Sequence, residues 1–177
     1  KTVATLPVAD DIPNSGVPTG PRAVRWQPSA PATLTWAEAL DGGNPKTMVP
    51  QRDKVVTLAA PFNGTPAELA RTEHRFAALQ WTDKGVGLLT ENDRTTRRTR
   101  TWVMDGAGTA PRTLWDRSAE DSYSHPGTPV RRDGASGLDV IPQTGSTIFL
   151  AGVGSSPQGD KPFLDALDLT TLQAARK

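Results

Sequence analysis

The chain has 177 residues, is 36% hydrophobic and 22% charged, and carries a formal net charge of +1. That length holds one well-buried domain or a large piece of a bigger one, and the near-balance of charge argues against a general polyanion binder, which carries a strongly basic domain. The absence of cysteine excludes a disulfide framework, a thiolate metal site and a Cys nucleophile.

No apolar run approaches the roughly 20 residues needed to span a bilayer, and no signal peptide is visible. A protein not embedded in a membrane is expected, with the compartment open between exported and cytoplasmic. Gly and Pro number 16 each and are spread along the chain, a pattern that suits short strands joined by turns.

Residues 1–22 contain four prolines and no apolar periodicity, so they read as an extended lead-in or linker. Residues 23–177 then read as one all-β region. Three stretches share a layout: 23–43, 78–108 and 139–171 each hold an apolar anchor (Trp26, Trp81, Ile141), a turn and an apolar strand (32–36, 86–90, 147–151). The anchors recur at intervals of about 55 to 60 residues, the mark of a repeat architecture. About four short strands per repeat is the size of a propeller blade. The expected fold is therefore a partial β-propeller of about three blades of short antiparallel strands. Further strands are expected at 54–59 and 112–115, with a turn-rich link at 122–130. One short helix is expected at 65–72, where Thr65, Pro66 and Glu68 form a capping-box arrangement. Residues 164–177 read as the end of a blade.

The stretch ENDRTTRRTRTWVMDGAG, 91–108, places Arg94, Arg97, Arg98 and Arg100 within seven residues. It reads as a hairpin, with a strand at 86–91, a turn at 92–94 and a return strand at 96–104. Alternation would put Arg97, Thr99, Thr101 and Val103 on one face and Arg98, Arg100, Trp102 and Met104 on the other. The favoured reading is a solvated hairpin. The four arginines are also the candidate interaction residues, toward another domain or an external anion. Little aromatic interleaving is present for base stacking, so no nucleic-acid partner is expected.

No self-sufficient active site emerges. The nearest approaches to the Gly-x-Ser-x-Gly elbow, at 134–138 and 154–158, both fail at the last position. His74 and His125 read as local or surface histidines. No HExxH, phosphate-binding glycine loop or complete calcium loop occurs. Asp41-Gly42-Gly43-Asn44 and Asp105-Gly106-Ala107-Gly108 read as turns, and neither a catalytic residue nor a cofactor or metal site is expected in this chain.

Several stretches carry a resemblance. RWQPSAPATLTWAEALDGGNP, TEHRFAALQW, TRTWVMD and RTLWDRSAEDSYSHPGTPVRR are similar, in this order over about residues 22–133, to the propeller of bacterial and plastid glutamyl endopeptidases, in the prolyl oligopeptidase family of serine peptidases. The resemblance implies an N-terminal β-propeller covering a downstream α/β-hydrolase domain with Ser, Asp and His, and restricting entry to small or flexible peptides. None of that triad maps onto a residue here. The implied partners are the hydrolase domain of the same parent chain and its peptide substrate. A free-standing propeller module that binds protein, peptide or glycan is the rival reading, and a cleavage product that self-associates through open strand edges is a third.

Overall fold

The computed structural model describes the chain apart from Lys1, Val3, Pro7 and residues 106–108, and apart from the side chain of Ala9. Fourteen short strands are present among the described residues, with one 3-10 turn at Ala9–Asp11. In chain order they are β1 (Arg22–Trp26), β2 (Thr33–Ala39), β3 (Asp53–Ala59), β4 (Ala67–Thr72), β5 (Arg75–Trp81), β6 (Gly87–Asp93), β7 (Arg98–Met104), β8 (Arg112–Ser118), β9 (Thr128–Pro129), β10 (Arg132–Asp133), β11 (Asp139–Val140), β12 (Thr147–Gly152), β13 (Phe163–Asp168) and β14 (Gln173–Arg176). They form three four-stranded sheets, ordered β1-β2-β3-β4, β5-β6-β7-β8 and β9-β12-β13-β14, and a two-stranded ribbon β10-β11. The all-β fold class expected from the sequence holds, and each four-stranded sheet has the size of a propeller blade, which is compatible with the expected partial propeller. The chain divides into two compact units, residues 1–77 and 78–177.

In the first unit, β2 and β3 pair along their full lengths, from Thr33 opposite Ala59 to Ala39 opposite Asp53. Trp36, Val56 and Leu58 are buried, with Leu34 and Phe62 against them. Trp26, an anchor in the repeat reading, is instead 47% exposed. It closes edge strand β1 and meets Phe62 edge-on at 6.0 Å.

The expected helix at 65–72 is a strand. Ala67-Glu68-Leu69-Ala70-Arg71 favours a helix by composition, but β4 completes the sheet against β3, with a bulge opposite Val55 and Val56. Pairing puts Ala70 and Thr72 inside, and tertiary burial outweighs a weak local preference.

One end of this sheet is tied by ions. The Asp41 and Asp53 carboxylates are wholly buried. Arg75 spans both, at 2.5 Å to Asp41 and 2.8 Å to Asp53. Arg52 pairs with Asp41 at 2.9 Å and Arg22 with Asp53. The Gly43 amide donates to Asp41 at 2.9 Å and the Phe76 amide to Asp53 at 2.6 Å. The Gly43 position demands glycine: its φ is +75°, and a Cβ there would lie 2.0 Å from the Val17 carbonyl oxygen.

In the second unit, the sheets β5–β8 and β9–β14 share one core of Leu88, Val103, Ile141, Ile148, Leu150, Leu167 and Leu169. On β12 the alternation is clean, with Ile148 and Leu150 buried and Phe149 and Ala151 exposed. Ile141 does not open the third sheet as the repeat reading had it. It follows the ribbon β10-β11, which is inserted between β9 and β12, and bridges to Thr82. The Ile141 amide donates to the Trp81 carbonyl at 2.9 Å, and the Asp83 amide to that of Ile141 at 3.0 Å. The third sheet's first strand is β9, two residues within the expected turn-rich link. Arg112, in ion contact with Asp105 at 2.7 Å, donates to the Leu169 and Thr170 carbonyls at 2.8 and 2.9 Å. The Asp105–Gly108 turn expectation otherwise lies outside the described residues.

Ile148→Ala should lower stability by about 2–5 kcal/mol in urea unfolding, because it leaves a cavity between packed sheets. Asp53→Ala should cost about 3–5 kcal/mol, because it removes the acid paired with the largely buried Arg22 and one of the two paired with Arg75. Stability should also fall in acid through Asp41. Burial alone would raise its pKa, but the Arg75 and Arg52 hydrogen bonds and charges and the Gly43 amide outweigh that and hold it below the usual carboxylate range. With the folded value below the unfolded one, near 3.9, the Asp41 contribution is complete above about pH 5 and is lost as pH falls through the folded value. Urea midpoints at stepped pH would show this loss in the wild type, and Asp41→Asn would lessen it.

Candidate functional site

The arginine-rich stretch is a hairpin of β6 and β7, with the turn at residues 94–97 rather than 92–94. Asp93 sets that position. Its carboxylate accepts from the Thr95 amide at 2.9 Å and from the Thr96 hydroxyl at 2.5 Å, an Asx-type closure. Arg97 takes a φ of 55° at the end of the turn. It therefore precedes the return strand and does not share the alternation expected of it. From Arg98 onward the alternation holds: Thr101 and Val103 face the core of the second unit, while Arg98 and Arg100 share the opposite face with Asp116.

On that opposite face Glu91, Arg100 and Asp116 stand directly opposite one another across β6, β7 and β8. Arg100 lies 3.3 Å from each carboxylate, and its guanidinium sits 5.6 Å from the Trp102 ring centre. Arg98 reaches Asp116 at 2.7 Å. The Arg98 hydrogen bond leads in holding the Asp116 pKa below its ordinary value, and the charges of Arg98 and Arg100 add to it. Opposite charges facing each other across strands stabilise a sheet. Arg97 has a loose contact with Glu120 at 3.5 Å, both largely exposed. Arg94 is exposed and in no salt bridge among the described residues. The dense run of cations is thus largely matched within its own sheet, leaving Arg94 and Arg97 as its outward-facing charges.

The two near-matches to a nucleophile elbow are turns. Ser136 lies in the tight connection of β10 and β11, where the Gly137 amide donates to the Gly134 carbonyl at 2.9 Å. The Ser156 hydroxyl donates to the Gly159 carbonyl at 2.6 Å. Neither sits on a strand-to-helix turn, the arrangement an α/β-hydrolase nucleophile needs. His74 lies in the bend between β4 and β5, its carbonyl accepting from the Thr72 hydroxyl at 2.8 Å. Asp41–Asn44 is the expected turn, but its first residue is also the buried anion of the ionic tie, a role the local sequence does not announce. His125 is exposed in the loop before β9, as expected, yet it borders an open cavity with Trp115 and Arg117. Sequence reading missed this cavity, because its walls come from five strands and a loop.

No family model matches the chain, and no solved structure matches it significantly. Curated relatives do. "Probable glutamyl endopeptidase, chloroplastic" of Oryza sativa subsp. japonica is 41% identical over 182 residues, covering 97% of this chain. The protein of the same name in Arabidopsis thaliana is 39% identical over 183 residues, again covering 97%. The chain is glutamyl endopeptidase-like. It spans 19% of the length of each of these relatives. The resemblance read from residues 22–133 thus extends over nearly the whole sequence, including the ribbon and the third sheet.

Charge reversals should separate matched from outward arginines. Arg94→Glu should leave stability within about 0.5 kcal/mol, as surface changes away from special features do. Arg100→Glu should cost several-fold more, because it sets three acids side by side across β6–β8. Urea unfolding of both variants measures the contrast.

Proposed function

We propose that this chain forms part of an N-terminal β-propeller of a serine peptidase of the prolyl oligopeptidase type, gating access to an α/β-hydrolase domain elsewhere in the same protein. The observation that carries the reading is the identity of 39–41% over 97% of the chain to proteins named glutamyl endopeptidase. The fold supports it, since three blade-like meanders suit a scaffold and the candidate serines sit in turns. In this reading the chain supplies geometry and no catalytic group. It hinders large substrates and admits short or flexible peptides. The residues from 1 to 22 lead into the propeller, and residues 23–177 belong to it.

The hairpin tip is the proposed contact with the hydrolase domain or with an acidic peptide. Of Arg94, Arg97, Arg98 and Arg100, the exposed Arg94 and Arg97 carry this role. Arg98 and Arg100 are drawn toward Asp116 and serve mainly to hold the tip.

The test is peptide hydrolysis by the full-length protein, read with Glu-containing peptides of increasing length and with a folded protein substrate. Short peptides should be cleaved and the folded protein spared. Core-weakening Ile148→Ala should relax that size limit, and Arg94→Glu with Arg97→Glu should alter turnover. Absence of hydrolysis of every peptide, in a protein lacking a nucleophile elbow, would overturn the reading in favour of a binding module.

A further inference from the structure

We propose that the cavity bordered by Trp115, Arg117 and His125 binds a peptide carboxylate, either an acidic side chain or a C-terminus. This goes beyond the gating role and rests on residues of this chain alone. The cavity lies within the second unit and has a volume of about 150 Å³.

Its origin is a change of character along one face of the second sheet. Leu88 and Val103 on that face are core residues. Farther toward the hairpin tip the same face turns polar: Thr90 and Thr101 share a hydrogen bond at 3.0 Å, and Arg117 stands opposite Thr99. The chain leaving β8 then folds back, bringing His125 and Pro126 to the cavity's edge. A polar, open hollow remains where apolar packing stops.

Arg117 differs from its neighbours. Arg97, Arg98 and Arg100 each meet a carboxylate. Arg117 is in no salt bridge among the described residues. One of its terminal nitrogens donates to the Asp121 backbone carbonyl, while its Nε is buried without an acceptor. A buried guanidinium donor left unmatched is costly, and an arriving oxyanion would satisfy it. The nearby Asp121 carboxylate feels the charge of Arg117 but directs its hydrogen bonds elsewhere. It accepts from the Tyr123 and Ser124 amides at 3.0 and 3.1 Å and from the Ser124 hydroxyl at 2.5 Å.

His125 supplies a second donor. Its Nδ1 accepts from the Gly127 amide at 3.0 Å, which leaves the ring proton on Nε2. Partial burial, then the charge of Arg117, lowers its pKa, which favours the neutral ring that the Gly127 hydrogen bond already requires. One fixed positive charge beside one neutral donor suits a monoanion better than a dianion. The planar fork of Arg117 suits a carboxylate, and Trp115 and Pro126 give apolar walls for a methylene stem.

The test uses the full-length protein with N-acetylglutamate α-amide, its neutral glutamine counterpart and inorganic phosphate. Crystals soaked with the glutamate probe should show it against Arg117, and calorimetry should rank it above both other probes. Arg117→Gln should weaken binding about tenfold or more, the loss of one charge-assisted pair, and Arg117→Lys should restore part of it. His125→Phe, which removes the Nε2 donor together with the acceptor of the Gly127 amide, should also weaken binding, and His125→Asn, which keeps a polar group there, should weaken it less. Equal binding of the glutamine probe, preference for phosphate, or affinity insensitive to both Arg117→Gln and His125→Phe would overturn the proposal. The last result would place the glutamate probe elsewhere, a catalytic pocket included, and would leave the gating role standing.

Discussion

The buried contact of Arg75 with Asp41 and Asp53 holds together what backbone pairing leaves separate in the first unit. Hydrogen-bonded ladders join β1 to β4 in sequence, but they do not fix the entry to β1, the loop after β2 or the departure of the chain after β4. Arg22, Asp41, Arg52, Asp53 and Arg75 meet at that one end, and two backbone amides complete the carboxylates' coordination. Ions this deeply placed contribute little net stability relative to a well-packed apolar cluster. Their value is directional, since a guanidinium fork satisfies two carboxylates only in a narrow range of positions.

A second use of charge governs the other sheet. Glu91, Arg100 and Asp116 alternate in sign across three strands, and Arg98 adds to the same acid. Such pairing explains how a chain of near-zero net charge accommodates four arginines in seven residues within one sheet. The cations are concentrated in sequence, while their acids arrive from neighbouring strands. Arg117 sits on the other face of β8, away from Asp116, which accounts for its different surroundings.

The strands β2, β3, β6, β7 and β12 were legible, because they fall on apolar or β-branched runs bounded by turns that carry Gly, Asp or Asn. The arginine hairpin was legible in type, though Asp93 moves its turn two residues along. What escaped depends on partners. Ala67–Thr72 looks helical until β3 is beside it. The ribbon of β10 and β11 has strands of two residues, too short to show a period of two. The ionic tie joins Arg75 to residues 34 and 22 positions away, and nothing local marks Asp41 as more than a turn residue. The cavity is illegible for the same reason, since Arg117 and His125 become neighbours only after the chain folds back from β8.

The brevity of β9 has a consequence for how the second unit breathes. Thr128 and Pro129 pair only with Ala151 and Leu150, and a proline has no amide hydrogen to give. The Val130 amide, donating to the Phe149 carbonyl at 2.9 Å, is the next rung. Strand β12 is held far more firmly on its other side, by six register pairs with β13. Local opening would therefore detach β9 together with the loop before it while β12–β14 stayed intact, a sub-global unit of low protection in amide exchange. That loop carries His125, so the least tightly held strand of the third sheet also governs one edge of the cavity.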